Sequence, residues 1–249
     1  MNSLPLFFKY TGPAGIPPYV SEVSFRWALP GKNTPGEWCS VVGRPVVCEW
    51  GLHLVPLDFV FYHEGRYLYE AEADPDLPRD WDEEAPDKIA FTKARLTRRV
   101  VTWEPASVAD FLERLAGIYQ TWLDAHGVLR YFLHEGFDHL FSSAVYQLRL
   151  TLGNTGEIRN PAYGTDIFPP TYSLPMRVLG WSILYTQLKY PEYLYWWEAP
   201  AHFGRLLCDH VGDSELRHQV AVAFLECLGY DTGEFNEQVS RLSGWWSVQ

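Results

Sequence analysis

Around residue 105 the hydrophobic period of the chain changes, and that change limits the folds open to it. Upstream, apolar residues fall in short alternating runs cut by proline and glycine, the pattern of strands and tight turns. Downstream they recur three and four positions apart over long stretches, the pattern of amphipathic helices. The boundary is set at Glu104-Pro105, since proline disfavours helical geometry in the residue before it. The expected fold class is α+β: a mainly β module over residues 1–104 carrying an acidic loop, then an α-helical domain over residues 105–249. With 249 residues and 47% apolar composition, either half can bury a core of its own.

In the first half, residues 21–29 read as a strand with Val23, Phe25 and Trp27 on one face. Residues 38–50 read as two short apolar runs around Gly43-Arg44, a hairpin signal. In that register Cys39 faces Cys48 as a non-hydrogen-bonded pair, where side chains approach most closely. A disulfide is geometrically open there, and so is a pair of small buried thiols. Residues 66–73 alternate cleanly: Tyr67, Tyr69, Ala71 and Ala73 share one face, and Arg66, Leu68, Glu70 and Glu72 the other. Nine acidic residues and one arginine between positions 70 and 87, interrupted by Pro75, Pro78 and Pro86, make a solvated acidic loop. Another strand is expected over residues 88–92. Lys93, Arg95, Arg98 and Arg99 then form a basic segment. The simplest account places it beside the acidic loop; the sharper alternative is a phosphate- or nucleic-acid-binding strip.

In the second half, Ser107 offers an N-cap with an acid three residues on. Val108, Phe111, Leu112, Leu115, Ile118, Tyr119, Trp122 and Leu123 follow at helical spacing up to Gly127. A second helix is expected over residues 128–152, and shorter ones over 175–189, 191–197, 200–211, 214–228 and 234–242. Connections as long as residues 153–175 are often binding loops or lids. The run from Tyr190 to Trp197 is strongly aromatic, and Trp245-Trp246 adds two more rings near the end. Most such rings fill cores, and Tyr193, Trp196 and Trp197 are the candidates for a contact surface.

Charge and motifs narrow the function classes. Lys plus Arg is 20 against 31 for Asp plus Glu, a formal net charge of −11. That opposes general nucleic-acid binding, which needs a positive surface, and suits a basic partner. No stretch approaches the ~20 apolar residues of a membrane-spanning helix. The N-terminal apolar run lacks a basic segment before it and reads as a strand rather than a signal peptide, so a cytoplasmic location is expected. Four cysteines without a C-x-x-C pair make neither a disulfide scaffold nor a zinc ribbon. G-x-S-x-G, a P-loop and a strand-borne G-x-G-x-x-G are all missing from the sequence. His134-Glu135-Gly136-Phe137-Asp138-His139 places its second histidine one position late for H-E-x-x-H, and a solvated helix surface is the favoured reading. In Cys208-Asp209-His210, adjacent helix residues face different directions, so no dyad is implied. Neither a metal nor a cofactor is expected.

One stretch carries a likeness. Cys48-Glu49-Trp50-Gly51-Leu52-His53-Leu54 is followed by Leu68-Tyr69-Glu70-Ala71-Glu72 and by Asp87-Lys88-Ile89. Ala94-Arg95-Leu96-Thr97-Arg98-Arg99-Val100 comes next, ahead of Trp103. This order resembles an uncharacterised domain of bacterial and phage proteins. Its pattern is a C-x-x-G-[LY]-H-[LF] turn, a strand like L-Y-E-V-E, then a K-[IV] and an A-R-L-x-R-x step before a tryptophan. The likeness spans roughly residues 35–105, not the helical half, and implies a domain type rather than a chemistry.

His53 is the single residue that most invites a chemical role. In folds resembling ADP-ribosyltransferases, a strand-borne His or Tyr holds the nicotinamide ribose, and a later Glu stabilises charge developing at the sugar. His53 with Glu70 or Glu72 imitates that order. A structural His53 is the favoured alternative, because both glutamates fall on what reads as a solvated strand face. The leading expectation is therefore a non-enzymatic interaction protein or accessory factor of bacterial or phage origin, its partner another protein. An NAD-handling enzyme centred on His53 is the rival. Phosphate or nucleic-acid contact through Lys93, Arg95, Arg98 and Arg99 is the weaker third.

Overall fold

The computed structural model describes residues 4–18, 25–126, 197–198, 200–201, 204–205, 208 and 214–246. Seven strands come first: β1 (Phe7–Thr11), β2 (Cys39–Ser40), β3 (Leu52–Pro56), β4 (Tyr67–Ala73), β5 (Arg79–Asp80), β6 (Ile89–Phe91) and β7 (Lys93–Arg99). The described helices are α1 (Pro105–His126), α2 (Ser214–Cys227) and α3 (Phe235–Trp246). The fold class is α+β, with a mainly β N-terminal part followed by helices. No described helix is long and apolar enough to cross a membrane.

The strands form one antiparallel sheet in the order β2-β7-β4-β1-β3-β6-β5. Only Thr92 separates β6 from β7, although β3, β1 and β4 lie between them in the sheet. In a flat sheet those four strand spacings would measure about 19 Å, whereas two residue steps cover about 7 Å. The sheet is therefore rolled, and β6 and β7 are successive halves of one bent strand. Hydrogen bonds pin the corner on both sides. Thr92 donates its N–H and its hydroxyl to the Pro78 carbonyl (3.1 and 2.8 Å), and its own carbonyl accepts from the Val41 N–H (2.9 Å).

β1 is the centre of the roll. Adjacent strand residues point to opposite faces, yet Phe7 and Phe8 are both buried. On one side Phe7, Phe91 and Trp245 pack edge-to-face, with ring centroids 5.1–5.6 Å apart. On the other, Tyr230 meets Phe8 at 5.8 Å, and Trp103 bridges Tyr10 and Phe224, both at 5.7 Å. The phenol of Tyr10 donates to the Val60 carbonyl (2.8 Å) and the indole of Trp103 to the Gly65 carbonyl (3.1 Å), so each buried ring satisfies its polar tip.

The chain divides into two compact units, Met1–Ser107 with Ala221–Gln249, and Val108–Val220. The hydrophobic period placed its single boundary at residue 104 and assigned everything after it to the helical half. In the second unit, Val108, Phe111 and Leu115 are buried along one stripe of α1, as the spacing indicated. Pro105 opens that helix at a position where its missing N–H costs nothing.

Two local expectations differ from the structure. Residues 25–29 form no strand; Trp27 is buried and its N–H donates to the Gly15 carbonyl (3.0 Å). The Gly43-Arg44 hairpin does not form either. Cys39 instead pairs with Ala94 of β7, and the chain turns tightly between Val46 and Trp50. Cys39 and Cys48 are both free thiols.

Candidate functional site

β1 pairs with β4 over five residues, from Phe7↔Ala71 to Thr11↔Tyr67, but with β3 over only two, Phe7↔Pro56 and Phe8↔Val55. Beyond Phe8 the two strands part, while His53 and Leu54 continue to pair with Ala90 and Ile89 of β6 on their other edge. A cleft of about 370 Å³ opens there. Lys9 and Tyr10 come from β1, His53, Leu54 and Val55 from β3, and Lys88 from the entry to β6. Pro17, Pro18, Cys48, His63 and Glu64 complete the wall. That volume suits a small molecule.

Lys9 crosses the gap. Its ammonium donates to the His53 carbonyl (2.9 Å) and lies 5.6 Å from the centre of the Trp27 ring. Burial, then the charge of Lys88, lowers its pKa to about 8. His63 bonds to Asp87 (2.9 Å), tying the turn after residues 57–62 to the segment that carries Lys88. Burial, followed by the Glu64 carboxylate, raises the pKa of Tyr10, which keeps its phenol protonated.

His53 holds a turn. Val46 and Trp50 exchange backbone hydrogen bonds of 2.7 and 2.8 Å, and Cys48 lies at the tip in a left-handed conformation (φ 66°). That geometry aims two amides outward. The Val47 N–H is taken by the Asp80 carboxylate (2.8 Å) and the Cys48 N–H by Nε2 of His53 (3.0 Å). Gly51 follows at φ 123°, where a Cβ would come 2.9 Å from Cβ of Pro45. The Cys48-x-x-Gly51-x-His53 signature thus encodes a backbone device: a glycine no side chain can replace, and an imidazole accepting from the residue five positions earlier. Because Nε2 accepts from the amide, it is not free to take the proton of the Cys48 thiol.

An imidazole in that role must be neutral. Burial first, then the charges of Lys9 and Lys88, lowers the His53 pKa to about 4, against smaller opposing effects of hydrogen bonds to the Gly51 and Val46 backbone. A base whose folded pKa lies below its unfolded value of about 6.5 contributes stability above that value, and loses it as pH falls towards the folded pKa. Wild type is therefore expected to lose about 2 kcal/mol from this group between pH 7 and pH 4.5. His53→Gln keeps an acceptor for the Cys48 amide but cannot titrate. Urea unfolding at the two pH values should show a shallower acid loss in the variant; equal losses would remove the neutral imidazole from the account.

The remaining sequence-derived candidates lie elsewhere. Glu70 does not face solvent: it is 9% exposed, and its carboxylate accepts from two nitrogens of Arg98 and from the Tyr230 hydroxyl (2.6 Å). Glu72 pairs with Arg95. Neither glutamate lines the cleft, so the His53–glutamate pairing is not assembled. The basic segment is answered from within the fold. Arg98 and Arg95 bind those glutamates, Lys93 binds Asp74 (3.0 Å), and Arg99 stacks on Tyr67 (4.7 Å). Trp38 lies against both Lys93 (4.9 Å) and Arg95 (4.6 Å). Trp197 is half-buried; Tyr193, Trp196 and the His134 to His139 segment lie outside the described residues. Among the described residues no three His, Cys, Asp or Glu side chains gather as a metal site.

No protein family, curated protein or solved structure matches this chain. A functional reading therefore has only the geometry of the cleft to build on. Of the residues that build it, Lys9, His63 and Glu64 were not singled out by motif, and Lys88 entered only through the Asp87-Lys88-Ile89 step of the likeness. One signal was present: Lys9 is the lone charge in the apolar run from Leu4 to Tyr10, and an isolated lysine in a buried strand asks for a reason.

Proposed function

We propose that the sheet unit is a binding module for a small organic anion, which it takes in the cleft between β1 and β3. One observation carries this reading. Two of the chain's five lysines, Lys9 and Lys88, line a single cleft of about 370 Å³ against one carboxylate, Glu64, and among the described residues neither lysine is in an ion pair. Bringing two like charges together in a partly desolvated site is unfavourable, and an anion between them relieves both the repulsion and the lost hydration. Pro17 and Pro18, with the edge of Val55, offer apolar surface beside the charges, which suits an organic anion better than a bare inorganic ion.

Calorimetric titration with malonate at low salt tests the reading. Malonate is expected to bind, and Lys88→Ala to weaken it about tenfold, the size of one charge-assisted contact. Absence of binding in the wild type, or an unchanged affinity in Lys88→Ala, would overturn it.

A separate observation favours a second reading, docking of another protein. Val42 (92% exposed), Val46 and Trp50 (52% exposed) present apolar surface on one loop. The acidic loop supports that reading less than its composition suggested. Asp74, Asp80 and Asp87 bind Lys93, the Val47 amide and His63, which leaves Asp76, Asp82, Glu83 and Glu84 as its exposed acids.

A further inference from the structure

We infer that Lys9 is a covalent residue whose amine condenses with the carbonyl of a small oxo acid, while Lys88 holds the acid's carboxylate. This rests on the anion-binding reading and adds a reaction to it. A lysine becomes a nucleophile at ordinary pH when it is desolvated or set beside another cation, since either raises the share of free amine. Lys9 has both conditions. It is half-buried in the cleft wall, and Lys88 lines the same cleft. Its pKa of about 8 leaves roughly a tenth of it unprotonated at pH 7. The bond to the His53 carbonyl and the Trp27 ring fix the end of an otherwise flexible side chain, so the amine is presented in one place.

The step balances without any further reagent. The nitrogen lone pair of Lys9 forms a bond to the carbonyl carbon, and the C=O π pair moves to oxygen. The resulting carbinolamine oxygen takes up protons and leaves as water, and the nitrogen lone pair closes the C=N bond. Overall, one ammonium and one carbonyl give one iminium and one water, with charge conserved. The carboxylate beside the new cation, held by Lys88, offsets the positive charge gained at the reacting centre. Cys48 lines the same cleft, but its amide rather than its thiol meets His53, so the thiol is not set up as the competing nucleophile.

Pyruvate, which carries both required groups, is the probe. The full-length protein is incubated with pyruvate and cyanoborohydride at pH 7.5, and the reduced adduct is located by peptide mass mapping. The adduct is expected at Lys9 and not at Lys32, Lys88, Lys93 or Lys189. Lys9→Arg keeps a cation on β1 and should lose the adduct, while Lys88→Ala should slow its formation about tenfold. Malonate, which has no carbonyl, should protect Lys9 in proportion to its occupancy. Thermal unfolding of each variant shows that loss of labelling is not loss of fold. Malonate binding without any adduct at Lys9 would overturn this inference and leave the anion site standing. Absence of both would remove the anion site as well. Equal labelling of all five lysines would also overturn the inference, by showing that Lys9 has no special reactivity.

Discussion

Lys9→Met should make the protein more stable at pH 7, by about 1–2 kcal/mol, while anion binding falls by about 100-fold or more. The stability gain follows from the sign of the pKa shift. The Lys9 ammonium titrates near pH 8 in the folded chain, through burial and the charge of Lys88, against about 10.4 in an unfolded one. The folded state therefore binds fewer protons than the unfolded state between these values, and wild-type stability should rise as pH climbs from 8 to 10. Below pH 8 the full penalty for holding the charge applies. Methionine has nearly the same length and no charge. It gives up the bond to the His53 carbonyl and the contact with Trp27, which offset part of the gain. Of the charged groups around the site, Lys88 favours the substitution and Glu64 opposes it. Urea unfolding at pH 7 and pH 10 checks both parts: the variant should start higher and lack the rise. A variant less stable than wild type at pH 7 would mean that Lys9 is held for packing. A residue that costs stability and is needed for binding is the expected signature of a functional lysine.

What the sequence made legible, and what it hid, follows from the range of the interactions involved. β4 was readable because its period-two alternation is local, and its register with β7 puts Glu70 and Glu72 opposite Arg98 and Arg95, the neutralising arrangement the charge pattern suggested. The roll of the sheet was not readable. It depends on Thr92 bonding to Pro78 and Val41, residues 14 and 51 positions away, and neither neighbour leaves a local mark. The Cys48–His53 turn was visible as a motif, but its meaning was not. Equal spacing suits a thiol–imidazole pair or an amide–imidazole bond, and only the left-handed φ of Cys48 decides between them. The hairpin at Gly43-Arg44 was lost because Cys39 found a better partner in β7 than in its near neighbours. The cleft itself opens where β3 keeps its ladder with β6 but not with β1, a long-range pairing outcome that a single strand's pattern cannot express.

Glu70 shows the same point at its largest energetic scale, and Glu70→Ala is expected to destabilise the protein by about 3 kcal/mol. The reason begins at the end of α2. Gly229, at φ 81°, donates its N–H to the Glu226 carbonyl (2.9 Å), and Tyr230 donates to the Leu225 carbonyl (3.1 Å). These are the two bonds of a Schellman closure, with glycine in the left-handed position that stops the helix. The closure delivers Tyr230 to the sheet, where its ring meets Phe8 and its hydroxyl donates to Glu70. Burial, and then the Glu70 carboxylate, raises the Tyr230 pKa well above its ordinary value, so the phenol stays a donor throughout the working pH range. Arg98 completes the set from β7. Alanine at position 70 removes the acceptor for a buried hydroxyl and two charge-assisted bonds together, and the unsatisfied Tyr230 hydroxyl is the costlier part. Arg98, about half exposed, recovers water and contributes less. Glu70→Gln keeps an oxygen for Tyr230 and should cost about half as much, and Tyr230→Phe about 1 kcal/mol. The double variant Glu70→Ala/Tyr230→Phe should be less destabilised than the sum of its parts, because the phenylalanine removes the orphaned donor. Additive losses in urea unfolding would show that the two side chains act independently, and that the hydrogen bond does not join the C-terminal segment to the sheet.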